Sequence, residues 1–441
     1  PTMARVILPY TPSTTHKEPH NGRAGGTEMN NVISTSPEAL GVDVDMISHF
    51  SDILAASLDH EMRRAYRPSE RKTLRKFTAG EVTELTGITA SNLRTRHKDG
   101  SFPDVATDTR GHRQYSAEEI ETIRDIMYRT GKNASSFKPG RRDDDEMQII
   151  SVVNFKGGSS KTTTCIHLAQ RYALRGYRVL AIDMDAQGSL TTFFGYRPEL
   201  DFEKDGELTI YDALLYEDRV SGIRRADLKQ VIRKTYFPNL DIAPASLILA
   251  EYETETAHAL SQNASGLAAH SLFAVRLTEA LMSVRDDYDL VLIDCPPQLG
   301  FTTLTALAAS TGLLVTVVPG MLDIASMSQF LKLAAETMRA INDSTGRSQE
   351  WDFLKFLITR YEPSDGPQTQ MSSYLRHLLG SLVMVSPMLK STAISDAGMS
   401  HQTIYEVDPK QLVKATLDRA LNSVNTVADE LEVVIQRAWG R

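Results

Sequence analysis

An unbroken apolar strand followed directly by a glycine-rich loop and a helix is the feature that most constrains this chain. Residues 147–155 read MQIISVVNF, and residues 156–164 read KGGSSKTTT. A strand without alternating polar residues is typical of a parallel sheet that is buried on both faces. A loop between such a strand and a helix points its backbone N–H groups toward an anion such as phosphate. The stretch therefore predicts an α/β domain with a phosphate-binding loop.

The loop departs from the strict phosphate-loop pattern G-x-x-x-x-G-K-[ST]. Phe155 and Ser160 stand where that pattern has its two glycines, and Lys156 is an additional lysine inside the loop. Taken alone, the loop fits three interpretations: a defective nucleotide site, a chance Gly-Lys-Thr cluster, or a different kind of phosphate loop.

The residue chemistry of the loop favours a working nucleotide site. Two adjacent glycines allow the backbone to approach phosphate oxygens, Lys161 can reach the β- and γ-phosphates, and Thr162 offers a hydroxyl to Mg²⁺. The predicted nucleotide contacts within the loop are Gly157, Gly158, Ser159, Ser160, Lys161, Thr162 and Thr163.

Three aspartates at predicted strand ends support this interpretation. The segments VLAIDMDAQGS and VLIDCPP place Asp183, Asp185 and Asp294 at or just beyond the carboxyl ends of two strands. In an open parallel sheet these ends line the ligand crevice, where carboxylates hold Mg²⁺ and its waters. Asp185 could instead orient or deprotonate an attacking water. The competing interpretation is that the aspartates only cap the helices that follow them.

The first 76 residues are organised differently from this region. Residues 1–43 are rich in Pro, Thr, Ser, Gly and Asn and lack periodicity, which predicts a flexible arm. A helical pattern runs over residues 44–76, with Pro68 expected to break it. We hypothesise that its apolar stripe dimerises the chain. The stripe comprises Met46, Ile47, Phe50, Ile53, Leu54, Leu58 and Met62.

Residues 77–130 carry the signals of a winged helix-turn-helix. Thr78 is a plausible N-cap of a first helix, Gly87 supplies the turn, and Thr89 or Ser91 opens the second helix. A probable hairpin follows, and Ser116 begins a third helix with a capping box. Helix, turn, helix, hairpin and helix in this order are typical of DNA-binding domains. Residues 131–147 are polar and rich in charge, and they predict a linker.

Strand-like and helical stretches alternate through residues 148–441, which predicts the main domain. Apolar strand patterns recur in YDLVLIDCPP, TGLLVTVVP and FLKFLITRYE, and the last helix is predicted over Pro409–Trp439. The expected fold class is α/β, with a doubly wound, mostly parallel sheet of the P-loop NTPase type. An α-helical arm and the winged helix-turn-helix domain precede it.

Charge and cysteine content limit the possible functions. Residues 61–142 contain 18 Lys and Arg against 11 Asp and Glu, whereas the rest of the chain contains 30 against 45. A basic module on an acidic body indicates one part that faces a polyanion, although a solvated helix face gives the same imbalance. Two cysteines, Cys165 and Cys295, exclude a disulfide framework and a cysteine-only zinc site. With no apolar run of 18 residues, we expect a cytoplasmic protein without a membrane span.

The segments KGGSSKTTT, DMDAQGS and DCPP together resemble the deviant Walker A ATPases of the ParA/MinD family, over roughly Gln148–Val407. The resemblance implies ATP or ADP and Mg²⁺ as ligands. It implies that Lys156, Lys161 and Asp185 are catalytic, with Lys156 reaching the phosphates of a partner subunit in a nucleotide-sandwich homodimer. Thr162, Asp183 and Asp294 are the implied Mg²⁺ residues.

The resemblance extends with less specificity to the adenine side of the site. It implies contacts from Thr359 and Arg360 in ITRYEPSD and from Pro387 and Met388 in VSPMLKS. Two departures stand out: Ser160 replaces the usual glycine before the lysine, and His167 stands where smaller members often have asparagine. We expect Ser160 to stiffen the loop or change how it holds nucleotide, and His167 to change the contacts between its helix and the switch loops.

Three branches of the family are candidates for the function of this chain. The iron-protein branch holds a cluster with cysteines, whereas Cys165 and Cys295 are more simply explained as small buried residues. The MinD branch has a basic amphipathic membrane helix at its end, whereas the last helix here mixes acidic and basic residues. The third branch, plasmid partition, matches the N-terminal helix-turn-helix, and the whole layout most resembles the RepA branch of repABC-type operons.

This branch implies a partition ATPase of the cytoplasm and nucleoid. It implies weak intrinsic ATP hydrolysis that a ParB-like partner of the RepB type stimulates. It also implies that the protein binds operator DNA to repress its own operon, and that the ATP dimer binds nucleoid DNA without sequence preference. No membrane association is implied. A repressor that uses nucleotide only as a conformational ligand, and a MinD-like membrane ATPase, are the alternatives. The wing sequence RGHRQYS also resembles MerR-type readers. The expected DNA contacts are Ser91, Asn92, Arg94, Arg96, Lys98, Arg110, His112 and Arg113.

Overall fold

The structure is a computed structural model that describes residues 44–65, 72–131, 136–202, 206–216, 222, 224–262, 272–346 and 348–441. The chain divides into two compact units, Pro1–Glu70 and Arg71–Arg441. The flexible arm predicted at residues 1–43 lies outside the described residues. The finer division into a helix-turn-helix domain, a linker and an ATPase domain stays a prediction.

The first unit contains helix α1, Val44–Ala65. Ile47, Phe50 and Leu54 of the predicted stripe are exposed on it. The helical pattern was expected to reach about residue 76, but residues 72–76 form a loop in the second unit. There the side chains of Lys72 and Arg75 donate hydrogen bonds to backbone carbonyls of residues 193 and 405, which anchors the loop to the surface.

The second unit begins with the predicted helix-turn-helix. Its elements are β1 (Phe77–Thr78), α2 (Ala79–Thr86), α3 (Ala90–Lys98), β2 (Gln114–Tyr115) and α4 (Ala117–Thr130).

The start and stop signals predicted for these helices are confirmed. Thr78 and Ser116 cap α2 and α4, each in a capping box with the glutamate three residues later. Thr89 caps α3, and Gly87 ends α2 with φ of 72°. The hairpin between α3 and α4 is a short wing, in which Thr107 bridges Arg113 in antiparallel fashion. Its outgoing strand, β2, pairs with β1.

Residues 148–441, which we call the body, form one sheet covered by helices. The strands are β3 (Gln148–Val153), β4 (Val179–Asp183), β5 (Arg233–Lys234), β6 (Leu240–Ala243), β7 (Leu290–Asp294), β8 (Gly312–Val317) and β9 (Phe353–Ile358). The helices are α5 (Lys161–Arg175), α6 (Ser189–Phe193), α7 (Ile210–Leu214), α8 (Leu228–Val231), α9 (Glu251–Gln262), α10 (Leu272–Met282), α11 (Phe301–Ala309), α12 (Met321–Thr345), α13 (Gly366–Leu379), α14 (Thr392–Met399) and α15 (Lys414–Ala438).

The sheet has the order β5-β6-β4-β7-β3-β8-β9 and is parallel except for the edge strand β5. After β3 the chain builds the strands on one side and later returns to add β8 and β9 on the other. Such a reversal creates a crevice at the carboxyl end of the first strand. The α/β fold class predicted from alternation is confirmed, whereas β5 and β6 were not predicted because they lack a long apolar run.

The last long helix packs into the core of the body. It was expected to begin at Pro409, but Pro409–Gln411 form a short 3₁₀ turn and α15 begins at Lys414. The intervening Leu412 is extended, with φ of −118° and ψ of 155°, and this conformation interrupts the helix. The buried side of α15 faces α5, where the Tyr172 hydroxyl donates to the Ala428 carbonyl at 3.0 Å.

No helix among the described residues has both the length and the apolar character that crossing a membrane requires.

The helix-turn-helix packs directly on the phosphate-loop helix α5. Arg124 of α4 is 2% exposed, and its guanidinium donates hydrogen bonds to the carbonyls of Leu85 in α2 and Leu174 in α5. Burial lowers the pKa of Arg124 to about 10, so the group is still charged at neutral pH. One side chain therefore joins two helices of the DNA-binding fold to the body.

We predict that Arg124→Met destabilises the chain by about 2–3 kcal/mol, because methionine keeps the apolar stem but leaves two buried carbonyls without a donor. The free energy of unfolding from urea titration measures the loss. Arg129→Met, on the exposed side of the same helix, is the matched control and is expected to have little effect. Equal stabilities of the two variants would contradict the bridging role of Arg124.

Candidate nucleotide site at the strand ends

The register of the sheet brings the loop and two of the predicted aspartates together. Val152, near the end of β3, pairs with Asp294 in β7, and Asp294 pairs in turn with Asp183 in β4. All three strands run in the same direction, so the loop after β3 and both carboxylates lie at one edge of the sheet. The constellation expected from separate sequence segments is therefore present in space.

Side chains from neighbouring strand ends hold the loop in shape. Asn154 accepts a hydrogen bond from the Lys156 backbone N–H at 3.1 Å and donates to the Thr316 carbonyl. The Thr316 hydroxyl donates to the Ser159 hydroxyl at 3.1 Å, and the Thr359 hydroxyl donates to the Ser159 carbonyl at 2.9 Å. These braces come from β8 and β9. Asn154 and Thr316 were not predicted as site residues, although a threonine within the apolar run LLVTVV indicates a polar role at a buried position.

Ser160 adopts a left-handed backbone conformation, with φ of 66° and ψ of 29°, at the N-cap of α5. Its hydroxyl makes no capping hydrogen bond. The left-handed region is unfavourable for a residue with a Cβ, which explains physically why a glycine suits this position. Gly158 also has a left-handed backbone, with φ of 75°. As a glycine it adopts this conformation without a steric cost.

Lys161 lies at the start of α5 with only 7% of its surface exposed. Its ammonium group is 3.4 Å from the Lys156 carbonyl. Burial lowers the pKa of Lys161, and the negative charge of Asp294 opposes that shift. The amine is thus a cation held in a low-dielectric site, where an arriving phosphate would be strongly attracted.

Asp294 is fully buried, and neither carboxylate oxygen has a hydrogen-bond partner within the described part of the chain. Burial and the neighbouring charge of Asp183 raise the pKa of Asp294 well above its usual range. The nearby Thr162 side chain and the Lys161 charge oppose this rise, but a buried carboxylate that lacks close donors is costly unless a cation compensates it. Its surroundings therefore fit the Mg²⁺ that the resemblance implies.

Asp183 is also fully buried but is hydrogen-bonded. It accepts from the backbone N–H and hydroxyl of Thr191 at 2.9 and 2.8 Å, and from the Asp185 N–H at 3.1 Å. Burial nevertheless raises the pKa of Asp183. Asp185 is half-buried, and it accepts from the Gln187 N–H at 3.0 Å. Both aspartates thus shape the loop after β4, as the capping interpretation expected, and both also lie beside the phosphate loop.

Lys156, the additional lysine, is ion-paired within its own chain. Its ammonium lies 2.8 Å from the carboxylate of Asp323, in the first turn of α12. The lysine side chain is 45% exposed, whereas that of Asp323 is 14% exposed. The sequence analysis did not find Asp323, because nothing in the sequence near it marks a partner for a loop 167 residues earlier.

A cavity of about 360 Å³ adjoins the loop, and none of the three aspartates lines it. Gly158, Ser160, Thr163, Arg360 and Met388 line it, and all five were predicted nucleotide contacts. The Arg360 guanidinium donates to the Gly158 carbonyl at 3.2 Å and so ties this wall to the loop.

Two other residues predicted on the adenine side have different surroundings. Thr359 is fully buried beneath the loop, where its hydroxyl braces Ser159. Pro387 is outside the lining of the cavity, and its carbonyl accepts from the Ser423 hydroxyl. Their contact with a nucleotide stays a prediction.

The predicted DNA-contacting residues lie on one recognition helix and one wing. On α3, Ser91, Arg94 and Lys98 are exposed, whereas Asn92 and Arg96 are partly buried and hydrogen-bonded to each other at 3.2 Å. The wing residues Arg110, His112 and Arg113 are all exposed. The arrangement leaves most of these side chains free to approach a polyanion.

Family models match both parts of the second unit. Residues 147–345 match the model described as AAA domain, and residues 77–135 match the model described as MerR HTH family regulatory protein.

The chain is similar to several named bacterial proteins along its length. It is 42% identical to a putative replication protein A of Rhizobium rhizogenes, over 93% of this chain and 98% of the relative. It is 27% identical to protein SopA of Escherichia coli strain K12, over 79% and 87% of the two chains. The solved structure of a partition protein, 19% identical, superposes with a TM-score of 0.59 over 88% of this chain and 99% of that one, which shows the fold.

We predict that Ser160→Gly stabilises the folded chain by about 1 kcal/mol, because glycine removes the steric cost of the left-handed conformation. Ser160→Ala is the matched control: it deletes the hydroxyl but keeps the Cβ, so no gain is expected. Urea unfolding of both variants measures the difference. If glycine is no more stabilising than alanine, backbone strain at Ser160 is not significant.

His167, one turn into α5, predicts a pH dependence of stability. Burial lowers its pKa to about 4, although its Nδ1 is 2.7 Å from the Thr163 carbonyl. Because the unfolded histidine titrates near about 6.5, the unfolded chain binds more protons between these values, and stability falls as pH decreases from about 6.5 toward 4. At pH 5 we expect a loss of about 2 kcal/mol relative to pH 7.5 from this residue.

Urea unfolding of the wild type and His167→Asn at both pH values isolates this contribution, since the other titrating groups are common to both chains. The variant is expected to lose about 2 kcal/mol less than the wild type on acidification. The same loss in both chains would show that His167 is protonated in the folded state.

Proposed function

The chain belongs to the ParA-type family of plasmid partition ATPases, and from this premise we propose that it is an ATP-dependent DNA-segregation protein that also represses its own operon. The observation that carries the proposal is the edge of the sheet where the phosphate loop, Lys161 and the unpartnered carboxylate of Asp294 meet. The loop N–H groups and Lys161 favour an anion, and the buried carboxylate of Asp294 favours a cation. Mg-ATP supplies both charges.

In the proposed site, the chain's own residues position the nucleotide. The loop N–H groups and Lys161 would hold the phosphates, and Thr162, Asp183 and Asp294 would hold Mg²⁺. A bound Mg²⁺ would neutralise phosphate charge and stabilise the charge that develops on the transferred group. Asp185, half-buried at the mouth of the loop after β4, orients the attacking water. The cavity lined by Arg360 and Met388 takes the base and ribose.

Lys156 makes the proposed reaction dependent on a second copy of the chain. Its side chain is partly exposed, so it can leave Asp323 and reach the phosphates of a partner subunit. Exposed apolar residues near the loop, Phe155, Met321 and Leu322, are consistent with a surface that becomes covered in the ATP-bound homodimer.

Two DNA-binding modes follow from the two parts of the second unit. We infer that the helix-turn-helix binds operator DNA, with base contacts from α3 and backbone contacts from the wing. The ATP-bound dimer binds nucleoid DNA without sequence preference, and a ParB-like partner of the RepB type stimulates hydrolysis and release. The protein is accordingly expected in the cytoplasm, on the nucleoid.

A repressor that uses nucleotide only as a conformational ligand is the second candidate, and the match of residues 77–135 to a regulatory helix-turn-helix favours it. The two candidates differ in whether hydrolysis is needed. With the operator controlled separately, a catalytically inactive chain would still maintain the plasmid under the second candidate but would lose it under the first.

We predict that Asp185→Ala retains Mg-ATP binding and lowers ATP hydrolysis by about 100-fold or more, because the attacking water loses its positioning carboxylate. Phosphate release and binding of a fluorescent ATP analogue measure the two properties in parallel. Asp418→Ala, an exposed aspartate on α15, is the matched control and should hydrolyse ATP as the wild type does. Normal ATP hydrolysis by Asp185→Ala would contradict the proposed role of Asp185 in orienting the attacking water.

Asp323→Asn tests whether the ion pair competes with the homodimer. Releasing Lys156 is expected to lower the ATP concentration needed for dimerisation by up to about fivefold, since a partly exposed ion pair contributes at most about 1 kcal/mol. Analytical ultracentrifugation over an ATP series measures this shift. Asp343→Asn, exposed near the other end of α12, is the control. A shift equal in both variants would reflect net charge rather than the pair.

A further inference from the structure

A cleft of about 930 Å³ lies where three separated segments of the second unit meet. The first segment is the start of α2 with the residues before it, and the second consists of α3 and the wing. The third is Asp408–Lys410, which belongs to the body and follows the recognition helix by about 310 residues in the chain. No sequence pattern predicts that this third segment lies beside the helix-turn-helix.

The cleft carries an uncompensated positive charge. Lys76, Arg94, Arg113 and Lys410 line it, and all four are exposed. The structure records no ion pair between any of these four and an acidic residue of the described ranges. Four cations left unpaired around one concave surface produce a strong local attraction for a polyanion.

The acidic residues of the cleft are already engaged elsewhere. Glu81 pairs with Arg75 at 2.6 Å. Asp108 accepts from the backbone N–H groups of Arg110 and His112 and so shapes the wing, while Asp408 accepts from the Lys410 N–H at 3.0 Å. Because Arg75 and Glu81 offset each other, only Asp108 and Asp408 remain against the four cations, and the cleft keeps a net positive charge.

A chain of hydrogen bonds holds the body segment against the helix-turn-helix. Arg75 donates to the Tyr405 carbonyl at 2.9 Å, and the Tyr405 hydroxyl donates to Asn425 at 2.7 Å. Asn425 donates in turn to Glu84 of α2 at 3.0 Å. These hydrogen bonds therefore hold the body segment that carries Lys410 in place relative to the helix-turn-helix.

We propose that this cleft takes a DNA phosphate backbone and that Lys410 of the body, together with Lys76, contacts phosphates beside the site read by α3. The inference rests on the proposed function and assigns phosphate contacts to two named residues, one of them in the body, beside the operator-reading helix. Backbone contacts dominate protein–DNA affinity, and lysine supplies them without base specificity. The cleft opens beside Arg94 and Arg113, so a duplex lying on α3 and the wing passes over it.

The same body segment also reaches the nucleotide cavity. Gln402 lines that cavity, and Gln170 of α5 joins the Thr403 and Glu406 side chains. Nine residues, Gln402–Lys410, therefore run from the nucleotide cavity to the DNA cleft. This segment therefore connects the cavity proposed for nucleotide with the cleft proposed for DNA.

The test measures DNA affinity against salt for full-length wild type, Lys410→Ala and Lys76→Ala. The probes are a duplex carrying the DNA directly upstream of the gene and a mixed-sequence duplex of equal length. Each substitution is expected to reduce the slope of log K against log salt by about 0.9, which is the value of one phosphate contact. Each should also weaken binding to the two duplexes by the same factor. Lys414→Ala, an exposed lysine four residues away and outside the cleft, should leave the slope unchanged.

Rescue of the slope by Lys410→Arg would support a phosphate contact, since arginine keeps the charge. If Lys410→Ala behaves as Lys414→Ala does while Arg94→Ala weakens binding, the body makes no contact and the inference is overturned, although the helix-turn-helix still binds DNA. If the wild type binds neither duplex, the proposed DNA function itself fails. Loss on the upstream duplex alone, at constant slope, would indicate base reading and would also overturn the phosphate assignment.

Discussion

The parallel register of β3, β7 and β4 is the constraint on which the rest of the structure depends. It places Asp294 between the phosphate loop and Asp183, all at the same edge of a sheet whose central strands are fully buried. Burial raises the pKa of both carboxyl groups and leaves Asp294 without a donor, so this edge is electrostatically incomplete by itself. A site of this kind is stabilised by binding phosphate and a divalent cation together.

Helix α5 connects that edge to the DNA-binding fold. Its first residue, Lys161, faces the phosphate position, while Leu174 near its end accepts from Arg124 of the helix-turn-helix. Arg171, between them, pairs with Glu84 of α2 at 3.4 Å. Helix α5 and the segment Gln402–Lys410 therefore each contact both the phosphate-loop side of the body and the helix-turn-helix side.

Much of this site follows from local sequence because its chemistry is carried by contiguous residues. The loop, the two acidic strand ends and the helix caps at Thr78 and Ser116 depend on neighbours within a few positions, and such patterns are visible in the sequence. The bracing roles of Thr316 and Thr359, and the partner Asp323, could not be assigned in this way. They contribute to the loop from strands and helices more than 150 residues away, and only the order of the sheet brings them close.

The sequence by itself therefore determined the fold class, the identity of the phosphate loop and the presence of a helix-turn-helix, because periodicity and capping are local properties of the chain. The tertiary structure alone decided that Ser160 is left-handed, that Lys156 is paired, and that the helix-turn-helix shares its positive cleft with Lys410 of the body. Those features arise from contacts between distant segments, whose distances and backbone angles are set by how the sheet and its covering helices pack as a whole.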